Sequence, residues 1–376
     1  MERKIGILGT PGRIPGAAFM DTKPLLGKVG DNSGNLVFQY AVTNAITEDK
    51  LYIGLDLPWD PAKVREHCRV LVIPSANFIR ENFDLTGFVG FLEKTELPLV
   101  FLGLGAQANS FDKKEFDFHP SIVRLISLIR ERCLQTGVRG PYTANVLNDR
   151  GVDKVSVIGC PSNFINPDDN LPLKLQEKWN QESLQIATTG DEPWPKNPLK
   201  RDAERKLVAL TKSRGGIYVQ QSVEPFVLAL RQRNPYQTVA VEPRTVDSLR
   251  MSLAPNMGAL EFANFLTASM RLYFDVDQWL EDVSRFDLSI GLRLHGNMVP
   301  FQAGCPAIWV YHDSRTQELA ETMCLPRLSL EDFLKIDSVS EFKAASGADF
   351  SRYAQTRQRL KSLYHGILDA YSIAHR

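Results

Sequence analysis

Short apolar runs alternate with longer amphipathic patterns along most of the chain, and this alternation constrains the fold more than any other feature. The runs are typical of β-strands, whereas the patterns between them have helical spacing. In the clearest helical pattern, Ile122, Leu125, Ile126 and Ile129 fall on one face. Strands that alternate with helices form parallel sheets covered on both faces. The sequence therefore predicts an α/β fold.

The predicted strands form two series with a polar segment between them. The first series lies at residues 4–8, 51–55, 69–73, 98–102, 134–138 and 155–158, and the second at 184–187, 216–220, 271–274, 287–290 and 307–311. The chain has 376 residues, which is more than one hydrophobic core usually supports. We therefore predict two Rossmann-like lobes with a central cleft.

The polar segment sets the predicted boundaries. We place an N-terminal lobe at residues 1–165 and a linker at 166–182. A C-terminal lobe follows at 183–345, and a helical segment at 346–376. Residues 190–206 are rich in proline and charge, which predicts a surface loop. Because ligands of open α/β sheets bind beyond the carboxyl ends of the strands, functional residues are expected on strand-to-helix turns.

Composition and charge exclude several classes of protein. Lysine plus arginine and aspartate plus glutamate both number 44, so the basic excess of a nucleic-acid-binding protein is lacking. The five cysteines form no CxxC pair, which argues against a disulfide framework or a zinc knuckle and favours a reducing, cytoplasmic setting. No signal peptide is recognisable, and no stretch approaches the ~18 apolar residues of a membrane span. Any membrane contact is expected to be peripheral, at the inner face.

The segment from Asp287 to Asn297 is the most informative motif. A predicted strand ends at Ile290, and a predicted helix begins near Gly296, so Arg293 and His295 lie at a helix N-terminus. Free backbone N–H groups and the helix dipole favour an anion there. Arginine adds a planar fork that suits a carboxylate or phosphate, and histidine can transfer a proton near neutral pH. The structural alternative is a buried ion pair of Arg293 and a capping role for His295.

A second arginine lies in a similar position. Val138 ends a predicted strand, Arg139 follows it, and Pro141 suits the first turn of the next helix. Arg139 is therefore a further candidate cation in the cleft. The alternative is a surface arginine beside a turn.

Two glycine-containing turns supply candidate residues for ligand contacts or the cleft lining. The first is the loop from Gly30 to Asn35, which precedes a helical pattern, and it need be no more than a turn and helix cap. The second follows the strand at 98–102 and lacks the third glycine of a dinucleotide-binding fingerprint. The candidates from these turns are Asp31, Asn32, Asn35, Gly105 and Gln107.

The remaining motifs favour structural roles. Cys160, in the turn after the strand at 155–158, is interpreted as a small buried residue because no histidine is near it in sequence, although a spatial pairing stays open. Tyr311, His312 and Arg315 could reach the cleft, but a helix cap at residue 313 or 314 explains their spacing equally well. Asp275 and Asp277 have DxD spacing and are better explained as helix-capping residues. We expect no catalytic metal.

Taken in order, these motifs resemble the polysaccharide pyruvyltransferase family. The matching segments are Gly30–Asn35, Leu102–Gly105, Val138–Pro141, Ile158–Ser162, Arg293–Gly296 and the turn at 304–306. The resemblance implies a glycosyltransferase-B-like fold. It also implies transfer of pyruvate from phosphoenolpyruvate to a pair of sugar hydroxyls as a ketal, in the synthesis of exopolysaccharide or another cell-surface glycan. The acceptor would be a saccharide, free or lipid-linked, and no cofactor would be required. The N-terminal lobe would bind the acceptor, and the C-terminal lobe would bind the donor.

The resemblance also implies roles for single residues. In that family a histidine and arginines hold the donor, which corresponds here to His295, Arg293 and Arg139, with Gly296 and Asn297 on the same turn. Arg293 and His295 are the candidate catalytic residues, with His295 as a possible general acid. The sequence departs from the common pattern at Gly140, where an acidic residue often follows the arginine. Two other functions stay open, a nucleotide-sugar glycosyltransferase of the same fold and a non-catalytic glycan- or anion-binding relative.

Overall fold

Two parallel β-sheets form the framework of the protein in a computed structural model, which describes residues 3–107, 116–231 and 243–376. The strands are β1 (Lys4–Ile7), β2 (Lys50–Tyr52), β3 (Cys68–Pro74), β4 (Ile79–Arg80), β5 (Leu99–Leu104), β6 (Ala106–Gln107), β7 (Thr136–Val138), β8 (Val155–Val157), β9 (Ile186–Thr189), β10 (Ile217–Val219), β11 (Met270–Arg271), β12 (Leu288–Gly291), β13 (Ala307–Tyr311) and β14 (Arg327–Ser329).

The helices lie between these strands and at the C-terminus. They are α1 (Thr22–Lys28), α2 (Asn35–Ala45), α3 (Pro61–His67), α4 (Thr86–Thr95), α5 (Pro120–Arg132), α6 (Pro141–Asn148), α7 (Leu171–Trp179), α8 (Pro198–Ser213), α9 (Glu224–Arg231), α10 (Pro243–Leu253), α11 (Ala259–Ala268), α12 (Val276–Val283), α13 (Leu294–Gln302), α14 (Ser314–Thr322), α15 (Leu330–Lys335), α16 (Val339–Ala345) and α17 (Phe350–Ala370). Short 3-10 helices lie at Ala17–Phe19 and Pro161–Phe164.

The order of strands identifies both sheets as Rossmann-like. The first sheet has the order β2-β1-β3-β5-β7-β8 and the second β11-β10-β9-β12-β13-β14, and the strands of each sheet pair in parallel. In the second sheet the order in which strands are added reverses between β9 and β12, as in dinucleotide-binding folds. In the first sheet it reverses between β1 and β3. The prediction of an α/β fold with two Rossmann-like lobes in a glycosyltransferase-B-like arrangement is confirmed.

Apolar layers cover both faces of each sheet and continue between the lobes. Phe38 and Cys160, from the first half of the chain, share a core cluster with Phe301, Trp309 and Leu319 from the second. Helix α17 returns to the first sheet, where Tyr364, Ile367 and Leu368 pack with residues of β1 and β3. The two lobes therefore share buried surface. In the described part of the chain, no helix combines the length and the apolar character needed to cross a bilayer.

The structure corrects two local predictions. The segment 190–206, predicted as a surface loop, includes the first half of α8, which begins at Pro198. Asn197 caps this helix, and Ala203, Glu204 and Leu207 are buried on its inner face. Helix α13 begins at Leu294 rather than near Gly296, which places His295 in its first turn. The strand β14 was not predicted.

Candidate active site between the lobes

A pocket lies where the carboxyl ends of the two sheets face each other. Its lining from the first lobe is Asn32, Asn35, Phe38, Ser75, Ala76, Asn77, Gly103, Arg139 and Cys160. Its lining from the second lobe is Gln221, Arg293, Leu294, His295, Arg315, Thr316 and Leu319. Five of the residues predicted for the site line this one pocket: Asn32, Asn35, Arg139, Arg293 and His295.

Arg293 is held at the N-terminus of α13 by a buried carboxylate. Its Nε lies 2.6 Å from Asp191 Oδ1, and its Nη2 donates to the Asp191 carbonyl oxygen at 2.6 Å and to Ser222 Oγ at 2.7 Å. Asp191 follows β9 and Arg293 follows β12, so the pair spans the point where the strand order reverses. The ion pair considered from the sequence is therefore present, and the arginine nevertheless borders the pocket.

Lys200 and His312 also surround the Asp191 carboxylate. Lys200 Nζ contacts Oδ2, and His312 Nε2 lies 3.5 Å from the same oxygen. Burial alone would raise the pKa of Asp191, but Arg293, Lys200 and His312 together lower it to about 2. Asp191 is therefore ionised at neutral pH, and it holds Arg293 in a fixed orientation. Sequence patterns gave no signal for Asp191, because its partner lies 102 residues away.

A second carboxyl group fixes the loop that contains Asp191. The backbone N–H groups of Asp191 and Glu192 donate to Glu204 Oε1 at 2.6 and 3.0 Å, and the Tyr218 hydroxyl donates to Oε2 at 2.5 Å. Burial raises the pKa of Glu204 to about 7. A Cβ atom on Gly190 would lie 1.8 Å from the Tyr218 hydroxyl oxygen, so this loop has no room for a larger residue. Glu204 thus supports Arg293 indirectly, because it fixes the loop whose Asp191 carboxylate holds the arginine.

His295 reaches the pocket from a different direction than Arg293. Arg293 precedes α13 with an extended backbone, whereas His295 lies in the first turn of the helix. Its Nε2 lies 3.4 Å from Cys160 Sγ, and its ring centroid is 5.4 Å from that of Phe38. Burial and then the positive charges of Arg315 and Arg293 lower the pKa of His295 to about 3. In the ligand-free protein the imidazole is therefore neutral at pH 7.

Arg139 is buried, so the alternative of a surface arginine is wrong. Only 3% of it is exposed, its Nη2 donates to the Ala106 carbonyl oxygen at 2.9 Å, and its Nε lies 3.6 Å from Glu318 Oε2. Burial lowers the pKa of Arg139 to about 10, and Glu318 opposes this shift, so the guanidinium stays charged at neutral pH. Glu318 belongs to α14 of the second lobe, and it also accepts from the backbone N–H of Thr143 at 3.2 Å. This ion pair links the two lobes at one wall of the pocket.

The position of Glu318 explains the glycine that follows Arg139. A Cβ atom on Gly140 would lie 2.3 Å from Glu318 Oε1. An acidic side chain at position 140 would therefore occupy the space that the Glu318 carboxylate fills. In this protein the carboxylate beside Arg139 comes from the opposite lobe.

Gly105 provides the space for the Arg139 guanidinium. A Cβ atom on Gly105 would lie 2.0 Å from Arg139 Cζ. Gly105 is not part of the pocket lining, and its neighbour Gly103 is, with a φ of 79° that favours glycine. The glycines of this turn therefore allow close packing of the side chains that form the pocket.

Replacing Gly105 with alanine is expected to destabilise the protein. The new methyl group must displace the Arg139 guanidinium and loosen the ion pair with Glu318, and overpacking of this kind costs about 1–3 kcal/mol. Thermal unfolding measures the change. Gly87→Ala is the matched control, because Gly87 lies in α4 with no atom within 4 Å of an added Cβ. A Gly105→Ala protein that unfolds at the wild-type temperature would contradict the packing role.

Gln221 lies between two glycines that belong to opposite lobes. A Cβ atom on Gly34 would lie 2.2 Å from Gln221 Oε1, and one on Gly296 would lie 2.6 Å from Gln221 Nε2. The Ser33 N–H donates to the Gln221 carbonyl oxygen at 2.9 Å, which joins the loop at 30–35 to the second lobe. Gln221 Nε2 is buried, borders the pocket and has no hydrogen-bond partner among the residues that the structure describes. It is a donor that a bound molecule can use.

Other predicted site residues lie outside the pocket lining. Asn297 is fully buried, with Nδ2 bonded to the Gly291 carbonyl oxygen at 2.9 Å and Oδ1 to the Ser289 hydroxyl at 2.8 Å. Gln107 accepts from the pocket residue Asn77 at 2.9 Å, and Asp31 is exposed with a φ of 59°. These positions contact or neighbour the pocket without forming its surface.

The 311–315 segment contributes both a cap and a pocket residue. Asp313 caps α14 by accepting from the Thr316 N–H at 2.7 Å, and its Oδ2 lies 3.1 Å from Arg315 Nη2. Arg315 lines the pocket and is half-buried. The capping role of Asp275 is confirmed as well, since its Oδ1 accepts from the N–H of Asp277 at 2.9 Å.

Comparison with known proteins identifies the family. Residues 32–314 match the family model of polysaccharide pyruvyl transferases. This range includes the whole pocket lining except Arg315, Thr316 and Leu319. The chain belongs to this family. It is therefore a transferase that acts on polysaccharides, and a saccharide is its acceptor. A search of curated proteins found no match.

Solved structures resemble the transferase in overall layout. Staphylococcus aureus MnaA in complex with UDP is 12% identical with a TM-score of 0.46, over 98% of each chain. UDP-GlcNAc 2-epimerase from Neisseria meningitidis, bound to UDP-GlcNAc, is 10% identical with a TM-score of 0.46, over 97% of this chain and 99% of the epimerase. Anabaena HepE in complex with UDP is 13% identical with a TM-score of 0.43, over 98% and 99% of the two chains. We draw no functional inference from these likenesses.

Proposed function

We propose that the transferase moves the pyruvyl group of phosphoenolpyruvate onto two hydroxyls of a saccharide as a cyclic ketal, in the synthesis of exopolysaccharide or another cell-surface glycan. The main support is that Arg139, Arg293 and Arg315 line one pocket with His295, beside the N-terminus of α13. Burial, and then Arg315 and Arg293, lower the pKa of His295. A histidine in such surroundings is neutral until an anion arrives. An anionic donor therefore both binds in this pocket and changes the state of its acid–base residue.

Each anionic group of the donor has a set of partners in the pocket. The helix N-terminus at α13, Arg293 and Arg315 suit one group, because free N–H groups and two guanidinium groups meet there. Arg139 suits the other group from the first lobe. The unpartnered Nε2 of Gln221 provides a further donor between them. Phosphoenolpyruvate has one phosphate and one carboxylate, which agrees with this division.

His295 would act as the general acid once the donor is bound. A proton moves from the imidazolium to C3 of the donor, and a saccharide hydroxyl oxygen bonds to C2 as its own proton leaves. The second hydroxyl oxygen then bonds to C2, and phosphate departs with the electrons of the C2–O bond. The neutral imidazole takes up the proton of the first hydroxyl, and the proton of the second hydroxyl leaves with the phosphate. The products are the ketal and inorganic phosphate, and the step consumes no oxidant or reductant.

Product analysis tests this function. Purified protein is incubated with phosphoenolpyruvate and a panel of pyranosides, free and lipid-linked, and both phosphate release and product mass are measured. We expect acceptor-dependent phosphate release and the mass increase of ketal formation. Thermal-shift titration with phosphoenolpyruvate and with UDP-sugars separates this function from a nucleotide-sugar glycosyltransferase. Stabilisation by UDP-sugars alone would contradict the proposal, and donor binding without phosphate release would indicate a non-catalytic relative.

Donor binding is expected to be accompanied by proton uptake at His295. In the ligand-free protein the pKa of His295 is about 3, and an anion within a few ångströms raises the pKa of a histidine. At pH 6–7 the protein should therefore take up a fraction of a proton as phosphoenolpyruvate binds. Isothermal calorimetry in buffers of different ionisation enthalpy measures the uptake, and His295→Gln is the control that should abolish it. A binding enthalpy that does not depend on the buffer would show that His295 stays neutral and is not the acid.

A further inference from the structure

Cys160 lies against the candidate general acid, which the chain brings to it from the opposite lobe. It follows β8 in a tight turn, where Gly159 has a φ of 71° and the 3-10 helix Pro161–Phe164 begins. Its Sγ lies 3.4 Å from His295 Nε2, and the two residues are 135 positions apart in the chain. Cys160 lines the pocket but is only 7% exposed. The sulfur and the imidazole therefore meet in a nearly enclosed wall of the site.

The hydrogen bonds around the sulfur favour a protonated thiol that donates to His295. The Ser162 hydroxyl donates to Cys160 Sγ at 2.9 Å, so the sulfur already accepts one hydrogen bond. Burial raises the pKa of the Cys160 thiol, which keeps it protonated. A neutral imidazole has one acceptor nitrogen and one N–H nitrogen. The S–H group is thus available to donate to Nε2, and the ring proton is left on Nδ1.

We propose that Cys160 is a positioning residue whose S–H group holds the imidazole of His295 in one orientation and in the Nδ1–H tautomer. The serine, the thiol and the histidine form a directed chain, Ser162 Oγ to Cys160 Sγ to His295 Nε2. When His295 takes up a second proton, Nε2 becomes a donor and the sulfur can accept from it. The pair therefore accommodates both protonation states without moving the ring.

The tautomer is tested in the ligand-free protein, independently of any reaction. The chain has six histidines, so selective 15N-histidine labelling gives a tractable spectrum, and His295→Gln assigns the His295 signals. We expect the Nδ1–H tautomer in the wild-type protein. In Cys160→Ala the Nε2 atom loses its hydrogen-bond donor, so we expect the signals to move toward the Nε2–H tautomer. A wild-type spectrum with Nε2–H, or one that Cys160→Ala does not change, would overturn the proposal.

The effect on catalysis rests on the proposed function and is tested separately. Loss of a residue that orients a functional histidine costs about 10–100-fold, and we expect Cys160→Ala to lower kcat by this factor with little change in the KM for phosphoenolpyruvate. Cys160→Ser, which keeps an O–H donor, should restore most of the rate. Cys305→Ala is the matched control, because Cys305 is also buried and, among the described residues, its sulfur hydrogen-bonds only to the Pro306 carbonyl oxygen.

The two measurements separate failure of the inference from failure of the proposed function. A wild-type protein with the Nδ1–H tautomer but no phosphate release would leave the positioning pair intact and contradict the reaction. An active protein in which Cys160→Ala keeps the wild-type kcat would overturn the positioning role. If Cys160→Ala does not fold, the wild-type spectrum and the kcat of Cys160→Ser decide, and a serine variant as slow as a His295 variant would count against the proposal.

Discussion

His295→Ala is expected to reduce phosphoenolpyruvate-dependent phosphate release by ~10²–10⁴-fold, the usual contribution of a positioned general acid. The imidazole borders the pocket beside Arg293 and Arg315, and the described lining contains no other histidine and no carboxylic acid. The arginines remain in place, so the KM for the donor should change much less than kcat. Steady-state kinetics with phosphate detection measure both quantities.

The controls for this prediction separate chemistry from folding. His295→Gln keeps much of the side-chain volume and should be as inactive as His295→Ala. His67→Ala, at an exposed residue at the end of α3, should keep wild-type kinetics. A His295→Ala protein with wild-type kcat would refute the general-acid role and would leave the histidine as a wall of the pocket.

Glu318→Ala is expected to destabilise the protein by about 3–5 kcal/mol, because it leaves the Arg139 guanidinium buried without its carboxylate. Gly140→Glu should also destabilise, since its Cβ would lie 2.3 Å from Glu318 Oε1 and its charge would oppose that of Glu318. In Gly140→Glu/Glu318→Ala the new carboxylate takes the vacated space. The double variant should therefore be more stable than the sum of the two single changes.

Thermal unfolding of the four proteins forms a double-mutant cycle. We expect a favourable coupling of ~1–3 kcal/mol, in the range measured for residues in contact. The backbone at Gly140 has a φ of −166°, which any residue adopts, so the substitution itself adds no backbone strain. Glu321→Ala, at an exposed residue of the same helix, is the control and should have little effect. Additive effects of Gly140→Glu and Glu318→Ala would show that the two positions do not share one carboxylate site.

The elements with strong local patterns could be predicted from the sequence. The apolar face of α5 comes from residues three and four apart, and the core of β3 from an uninterrupted run, Val70 to Ile73. These signals lie within one element and need no information from the rest of the chain. The segment 190–206 misled the prediction because its charges dominate the composition, although Ala203, Leu207 and Val208 form a buried stripe.

The site was only partly predictable, for a related reason. Arg293, His295 and Arg139 could be found because each follows a strand and adjoins a helix start, a local arrangement typical of anion sites. Their partners could not, because Asp191 and Glu318 stand in segments whose own patterns give no hint of an ion pair. Gln221 was missed because its role depends on the two glycines that enclose it.

The sequence alone determined the alternation of strands and helices, the two series that become two lobes, and the strand ends at which cations stand. Only the tertiary structure decided which of these residues meet. Cys160 contacts His295 across 135 residues, and Arg139 pairs with Glu318 of the other lobe, because parallel sheets bring the carboxyl ends of distant strands to one cleft. Local periodicity reflects the burial of one face of a helix or strand. A contact between lobes depends on the strand order of both sheets and on how the two sheets pack.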